Sequence, residues 1–293
     1  MSGGGAPKTD ISNPDILTSV HMNYILIDGS YYTFYRLFAL INWWKLSHQD
    51  EPCENLHGDP EFIQKFKQIF VSKLLEIPKK LKLNKEIPVK FIVSLDCRRC
   101  NIWRNDIYPD YKSTRSDYSD ASNKPGPFFQ MVYDEQLFQN IPNIDISVIQ
   151  HPKLEADDCL AITSKYLASK YDNRNIYIIT SDTDYLQLIQ NNIHLYNLKF
   201  KTVNTTKNSF NDPQKDLLYK IIIGDKSDNI PSVFPKCGPK KTQMYMNNPE
   251  IFKQDLDKFN AHNKYQMNCT LIDFNNIPNE LQKPIIEWCH SNI

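Results

Sequence analysis

Apolar residues along the chain come in two rhythms. Short, nearly unbroken runs recur at Tyr24-Ile25-Leu26-Ile27, Val89 to Leu95, Ile144 to Ile149, Asn175 to Thr180 and Ile193 to Tyr196, the pattern of strands buried on both faces. Between them lie segments with helical spacing: an aromatic-rich stretch from Ser30 through about Trp43, then Glu61 to Glu76, Phe128 to Phe138, Glu155 to Tyr171 and Pro213 to Ile223. Strands alternating with helices predict an α/β fold around a mostly parallel sheet. Beyond Ile223 the pattern gives helices and loops without a further strand, so a helical region is expected to follow the sheet. The first residues, with Gly3-Gly4-Gly5 and Pro7, have no apolar period; residues 1–21 read as a disordered lead and the fold as starting at Met22.

One internal stretch breaks both rhythms. From Cys97 to Pro127 aliphatic residues give way to Arg, Asp, Tyr, Ser and Lys, which predicts a mobile insertion over about 97–127.

At 293 residues the chain is long enough for a substantial core, in one large or two modest domains. Its formal charge is zero, yet Lys199, Lys201, Lys207, Lys215, Lys220, Lys226, Lys236, Lys240 and Lys241 outnumber the acids of the same segment, a local basic surface suited to phosphates or simply to water. No apolar stretch suggests a membrane anchor. Seven scattered cysteines without an apolar leader fit a reducing intracellular compartment. Cys97 and Cys100 have zinc-ligand spacing but no second pair at a suitable distance, and His48, Cys53 and His57 read as loop residues sooner than as ligands.

Acidic residues carry the candidate chemistry. Three clusters stand in order: Glu155-Ala156-Asp157-Asp158, Ser181-Asp182-Thr183-Asp184 and Gly224-Asp225-Lys226-Ser227-Asp228-Asn229. Carboxylates crowded together repel unless a cation sits among them, and hard divalent ions take oxygen ligands. Asp28 and Asp96 each close an apolar strand run, and in an open parallel sheet ligands bind outside the carboxyl ends of the strands. Two simpler readings compete locally: the trio after Leu154 can cap a helix, and Asp182-Thr183-Asp184 has the spacing of an aspartyl-phosphate-forming phosphatase. Neither explains why distant strand ends keep delivering carboxylates to one edge.

Taken in order, Asp28-Gly29, Asp96 followed by Trp103-Arg104 and Tyr111-Lys112-Ser113-Thr114-Arg115, Glu155-Ala156-Asp157-Asp158, Ser181-Asp182-Thr183-Asp184 and Gly224-Asp225-Lys226-Ser227-Asp228-Asn229-Ile230-Pro231 resemble the 5′-3′ exonuclease/flap endonuclease family, in its free-standing phage-type form and in the N-terminal nuclease domain of bacterial DNA polymerase I. The resemblance spans about residues 24–246. It implies a PIN-like sheet domain over 22–205, a helical arch formed by the insertion, and a C-terminal region over 206–293 with a helix-three-turn-helix at about 224–247. It also implies hydrolysis of DNA phosphodiesters at 5′ ends and flap junctions in replication or repair, by a monomer that meets replication proteins. Asp28, Asp96, Glu155, Asp157 and Asp158 would surround one magnesium ion, some through water, and Asp182, Asp184, Asp225 and Asp228 would serve a second, with manganese able to substitute. Lys112 would stabilise charge on the scissile phosphate, Arg104 and Arg115 would grip phosphate, and Tyr111 would stack on a base.

By the same resemblance Lys226, Lys236, Gly238, Lys240 and Lys241 would face duplex phosphates. Ser232 and Lys236 stand where the family favours glycine, so potassium binding at this hairpin stays open, with Lys236 able to compensate by charge. Two other readings remain: a PIN-type ribonuclease, which lacks the appended Gly-Asp-x-Ser-Asp-Asn segment, and an inactive structure-sensing DNA-binding protein, in which the acidic crowding would have no use.

Overall fold

A computed structural model describes residues 21–48, 55–115, 125–171, 174–205 and 209–293. The lead expected over 1–21 lies outside the described residues except for His21, as do Cys53 and the distal half of the insertion.

Five strands form one parallel sheet: β1 (Asn23–Asp28), β2 (Val89–Leu95), β3 (Asp145–Gln150), β4 (Ile176–Ile179) and β5 (Ile193–Tyr196), in the order β3-β2-β1-β4-β5. The order reverses direction between β1 and β4, so the crevice of the fold opens there, at the carboxyl ends of these two strands. Helices cover both faces. On one face lie α1 (Gly29–Ser47), α2 (Pro60–Leu75), the short α3 (Ile77–Lys80) and α4 (Gly126–Asp134); their Leu37, Leu40, Phe66, Phe70 and Phe128 pack on Ile25, Ile27, Phe91 and Val93. On the other, α5 (Ala156–Lys170) lies against Tyr24, Leu26, Ile92 and Ile178. Alternate residues of β1 thus enter opposite cores, the period-two geometry of a strand covered twice.

The helical region follows as expected: α6 (Pro213–Ile223), α7 (Pro239–Asn247), α8 (Pro249–Lys258), α9 (His262–Ile272) and α10 (Asn279–Asn292). Phe234, Tyr245 and Leu256 give it a small core of its own, while α10 returns to the sheet domain and buries Ile285 and Cys289 against α5.

Local chemistry sets the element ends near the crevice. Asp28 caps α1 by accepting from the Tyr31 amide at 2.9 Å, and Asp212 caps α6 ahead of Pro213. Gly29 allows α1 to start directly on β2, where a Cβ would meet the Ser94 carbonyl at 2.7 Å. Among the described residues no helix is long and apolar enough to cross a membrane.

Candidate metal centre

Asp28 ends β1, Asp96 follows β2, Glu155 and Asp157 open α5 after β3, and Asp182 follows β4. These five line one cavity of about 330 Å³ together with Ser30, Lys112 and Arg115. Carboxylates read from separate strand ends are therefore brought to one edge. Asp96 is held from two sides, by the Ser30 hydroxyl and by the Ala156 amide at 2.8 Å. Burial, then the Asp96 carboxylate, pushes the Asp28 carboxyl up to about 7, against the Tyr31 amide. Burial also raises Asp96, and Asp157 well above the usual carboxylate range, the latter with Asp158 and Glu155 adding repulsion.

Asp158 departs from its expected place. It is 0 % exposed, and its carboxylate accepts from Arg104 Nη1 and Nη2 at 2.8 and 2.7 Å, from Trp103 Nε1 at 3.0 Å and from the Glu155 amide at 3.2 Å. The last contact is half of a capping box at the start of α5. Its lone pairs are turned to the protein, so Asp158 braces Glu155 from behind, and the capping reading holds for this residue. Arg104 is corrected with it: at 2 % exposure, and bonded as well to Glu155 at 3.2 Å, it is a buried counter-ion and has no face toward a phosphate. Tyr111 is also corrected. Its hydroxyl donates toward Glu155 at 2.9 Å and Asp228 at 3.1 Å from a buried ring, which leaves no face on which a base can stack.

A second group collects Asp184, Asp225 and Asp228, whose carboxylate oxygens lie within 4.8 Å of one another. Asp184 belongs to a short helical turn, Thr183–Leu188, capped by Asp182. Asp225 and Asp228 ride on a hairpin closed by reciprocal amide bonds between Asp225 and Ile230 at 2.9 and 2.7 Å. Gly224 starts that hairpin at φ 77°, where a Cβ would strike the Ile230 carbonyl at 2.4 Å. Lys220, in the last turn of α6, pairs with Asp184 and reaches Asp225 at 2.9 Å. Although burial raises the Asp225 carboxyl, Lys220 and Ser227 outweigh it and hold the pKa down to about 2.

The basic insertion enters between the groups. Lys112, 8 % exposed with φ 54°, pairs with Glu155 and lies 3.6 Å from Asp228, and Arg115 pairs with Asp228. Burial lowers the Lys112 pKa, but Glu155, Asp228 and Asp157 overcome it and hold the ammonium charged. The Lys112 amide donates to the Asp228 carbonyl at 2.9 Å, and Asn229 Nδ2 to the Asp110 carbonyl at 2.9 Å, so the insertion's first half is stitched to the hairpin. The described part of the insertion carries two single helical turns (Arg99–Asn101 and Trp103–Asp106) and a run of turns, and the rest of the expected helical arch lies outside the described residues.

Farther along, Lys226, Lys236 and Lys240 are exposed. Lys236 adopts φ 52°, which explains the glycine preference there, whereas Gly238 has φ −91° and open space where a Cβ would stand. Lys241 is half-buried, its ammonium over the rings of Tyr245, Phe259 and Phe234 at 5.5 to 6.0 Å. Among the described residues Cys97 and Cys100 join no metal-capable cluster, and the His48 ring stacks on Trp44 at 4.1 Å.

The donor set fits divalent cations. It consists of carboxylate oxygens, and four of its acids, Asp28, Asp96, Asp157 and Asp182, are driven toward protonation by burial and by neighbouring carboxylates, the response of crowded carboxylates that lack sufficient counter-charge. Sequence reading missed Lys220, whose only signal was a lysine in the helical turn before an acidic hairpin, and Ser30, directly after Asp28-Gly29.

Comparison with known proteins agrees with this geometry. Residues 23–215 match the family model described as 5′-3′ exonuclease, N-terminal resolvase-like domain. A 5′-3′ exonuclease of Buchnera aphidicola subsp. Acyrthosiphon pisum is 28 % identical over 244 residues, covering 81 % of this chain and 75 % of that protein. Ribonuclease H of Enterobacteria phage T4 is 26 % identical over 220 residues, covering 69 % and 70 %. The fold is shared with the T5 5′-exonuclease bound to zinc, at a TM-score of 0.62 and 16 % identity over 92 % of this chain and 99 % of that one. With a match over most of its length and the acidic edge in place, the chain belongs to the 5′-3′ exonuclease family.

Proposed function

We propose that this chain is a divalent-metal-dependent 5′ nuclease that hydrolyses DNA phosphodiesters at or near 5′ ends and flap junctions. The observation that supports this most is the meeting of two acidic groups around Lys112 at the switch point of the sheet. Asp28, Asp96, Glu155 and Asp157 would hold one magnesium ion and Asp182, Asp184, Asp225 and Asp228 the other, directly or through water, with manganese able to replace either. Ions held there would activate a water near neutral pH and offset charge on the leaving oxygen.

The chain's own residues do the rest. Lys112 and Arg115 carry positive charge into the cavity from the insertion side, where they meet the scissile phosphate and stabilise the charge that builds on it. Arg104 and Asp158 keep the Glu155 carboxylate facing the cavity. Lys226 and Lys236 line the turn between α6 and α7 and Lys240 the first turn of α7, and with the open backbone at Gly238 they dock a duplex by its phosphates, without reading sequence.

A panel of end-labelled flap, nicked, blunt and single-stranded DNA, with matched RNA, incubated with magnesium or with chelator, tests the reading. Short 5′ products from flap and nicked DNA in magnesium alone are expected. Cleavage that persists in chelator overturns the metal requirement, and cleavage confined to RNA would favour a ribonuclease, the activity in the name of the phage T4 relative.

A further inference from the structure

One stretch of the C-terminal helical region, residues 268–274, touches the supports of Glu155, of Asp184 and of the hairpin that carries Asp225 and Asp228 without lending a carboxylate to either group. Asn268, fully buried in α9, donates its two Nδ2 protons to the Ile221 and Pro231 carbonyls, both at 2.9 Å. Those carbonyls flank the hairpin that carries Asp225 and Asp228. Next, the Ile272 carbonyl accepts from Gln187 Nε2 at 3.0 Å, and the Phe274 amide donates to Gln187 Oε1 at 2.9 Å. Gln187 sits in the helical turn of Asp184 and also bonds the Asp184 carbonyl at 2.9 Å. Finally, the Leu271 carbonyl accepts from Arg104 Nε at 2.8 Å, on the guanidinium that braces Asp158 and Glu155. Ile102, Tyr111, Ile221, Ile230, Leu271 and Ile272 fill the space between these bonds as one apolar cluster.

We infer that residues 268–274 position the two acidic groups relative to each other, an inference that rests on the metal-centre reading above. The physical need is plain. The second group stands on a hairpin and a short helical turn, separate segments that Lys220 bridges only through the Asp184 and Asp225 side chains and whose backbones need support from behind. Asn268 is matched to its task, because its amide nitrogen carries two donors that join the two carbonyls, and its loss leaves both without that partner. The side chains that orient metal ligands from behind typically alter metal affinity by about 10- to 100-fold when removed. Asn268, Gln187 and Arg104 are therefore positioning residues, and α9 belongs to the metal centre although it lies beyond residues 23–215, where the family match ends.

The test is Mn²⁺ binding to the full chain, followed by electron paramagnetic resonance and paired with thermal midpoints. Asn268→Leu, with the same branched skeleton and no donors, is expected to weaken binding at the second group by about tenfold or more while the first group changes by less than about twofold. Arg104→Lys is expected to do the reverse. If Asn268→Leu does not fold, Gln187→Leu on the half-buried turn reads the same loss at the second group. Equal weakening at both groups, in step with the thermal midpoint, would reduce the segment to ordinary packing, and unchanged binding at both would overturn the inference. A wild-type chain that binds no Mn²⁺ would instead remove the metal-centre reading itself.

Discussion

The two acidic groups are built from the same side chains and differ in what surrounds them. The first is anchored on strand ends and on the first turn of a long helix, and it is short of positive charge: Lys112 and Arg104 engage Glu155, while Asp28, Asp96 and Asp157 are pushed toward protonation. The second hangs on a hairpin and a helical turn, and three of its four acids are well supplied: Lys220 and Arg115 pair with Asp184, Asp225 and Asp228, and Asp225 is held ionised down to about pH 2, while Asp182, which also lines the first cavity, is raised by burial. A group that lacks counter-charge gains most from a cation. On the two-metal reading, the first group is thus expected to bind a cation more tightly, and the second to bind it against the opposing charge of Lys220.

That contrast can be broken most severely from the first side. Asp96→Asn combined with Asp157→Asn is expected to lower flap cleavage in magnesium by roughly three orders of magnitude or more while binding of DNA in chelator stays within a few-fold. Quantified product and gel-shift titrations on one preparation check both halves, and cleavage above about a tenth of wild type would mean that the strand-end acids are not essential. Next in size, Lys112→Ala should slow single-turnover cleavage by about 100-fold with little change in duplex affinity. An effect on affinity alone would move Lys112 from the reacting phosphate to general DNA binding. Smaller again, Lys220→Met should tighten Mn²⁺ binding at the second group by roughly fivefold, the scale of one screened charge a few ångströms away; weaker binding would show that the lysine organises the ligands more than it opposes the ion.

The smallest effect sharpens the electrostatics. A carboxyl whose folded pKa lies above its unfolded value stabilises the fold at low pH and loses that contribution as pH rises through the folded pKa. With Asp28 raised to about 7, the thermal midpoint in chelator should fall between about pH 4 and pH 7 and level off above that, and Asp28→Asn should flatten that slope. A midpoint that rises over this interval, or a slope indifferent to Asp28→Asn, would contradict the crowding argument.

Much of this centre was legible in the chain. Asp28 and Asp96 were found because an apolar strand ends on them, and strand ends in a parallel sheet share an edge. What could not be read was direction. Asp157 and Asp158 are adjacent in sequence, yet successive helical residues point about 100° apart, so one faces the cavity and the other the Arg104 guanidinium. Arg104 and Tyr111 look like loop residues by composition and are interior ones by need, since the buried acids require donors from behind. Lys241 lies over the rings of Phe234, Tyr245 and Phe259, which its place among lysines did not reveal. The contribution of α9 runs largely through main-chain carbonyls, which residue types do not reveal.

The contrast between the groups is tested most directly by counting Mn²⁺ ions and their affinities in the wild type, in Asp157→Asn and in Asp225→Asn. Two sites of unequal affinity are predicted, with the tighter one lost in Asp157→Asn and the weaker one lost in Asp225→Asn. If Asp225→Asn removes the tighter site, or if both variants keep the wild-type binding curve, the assignment of the two groups is wrong.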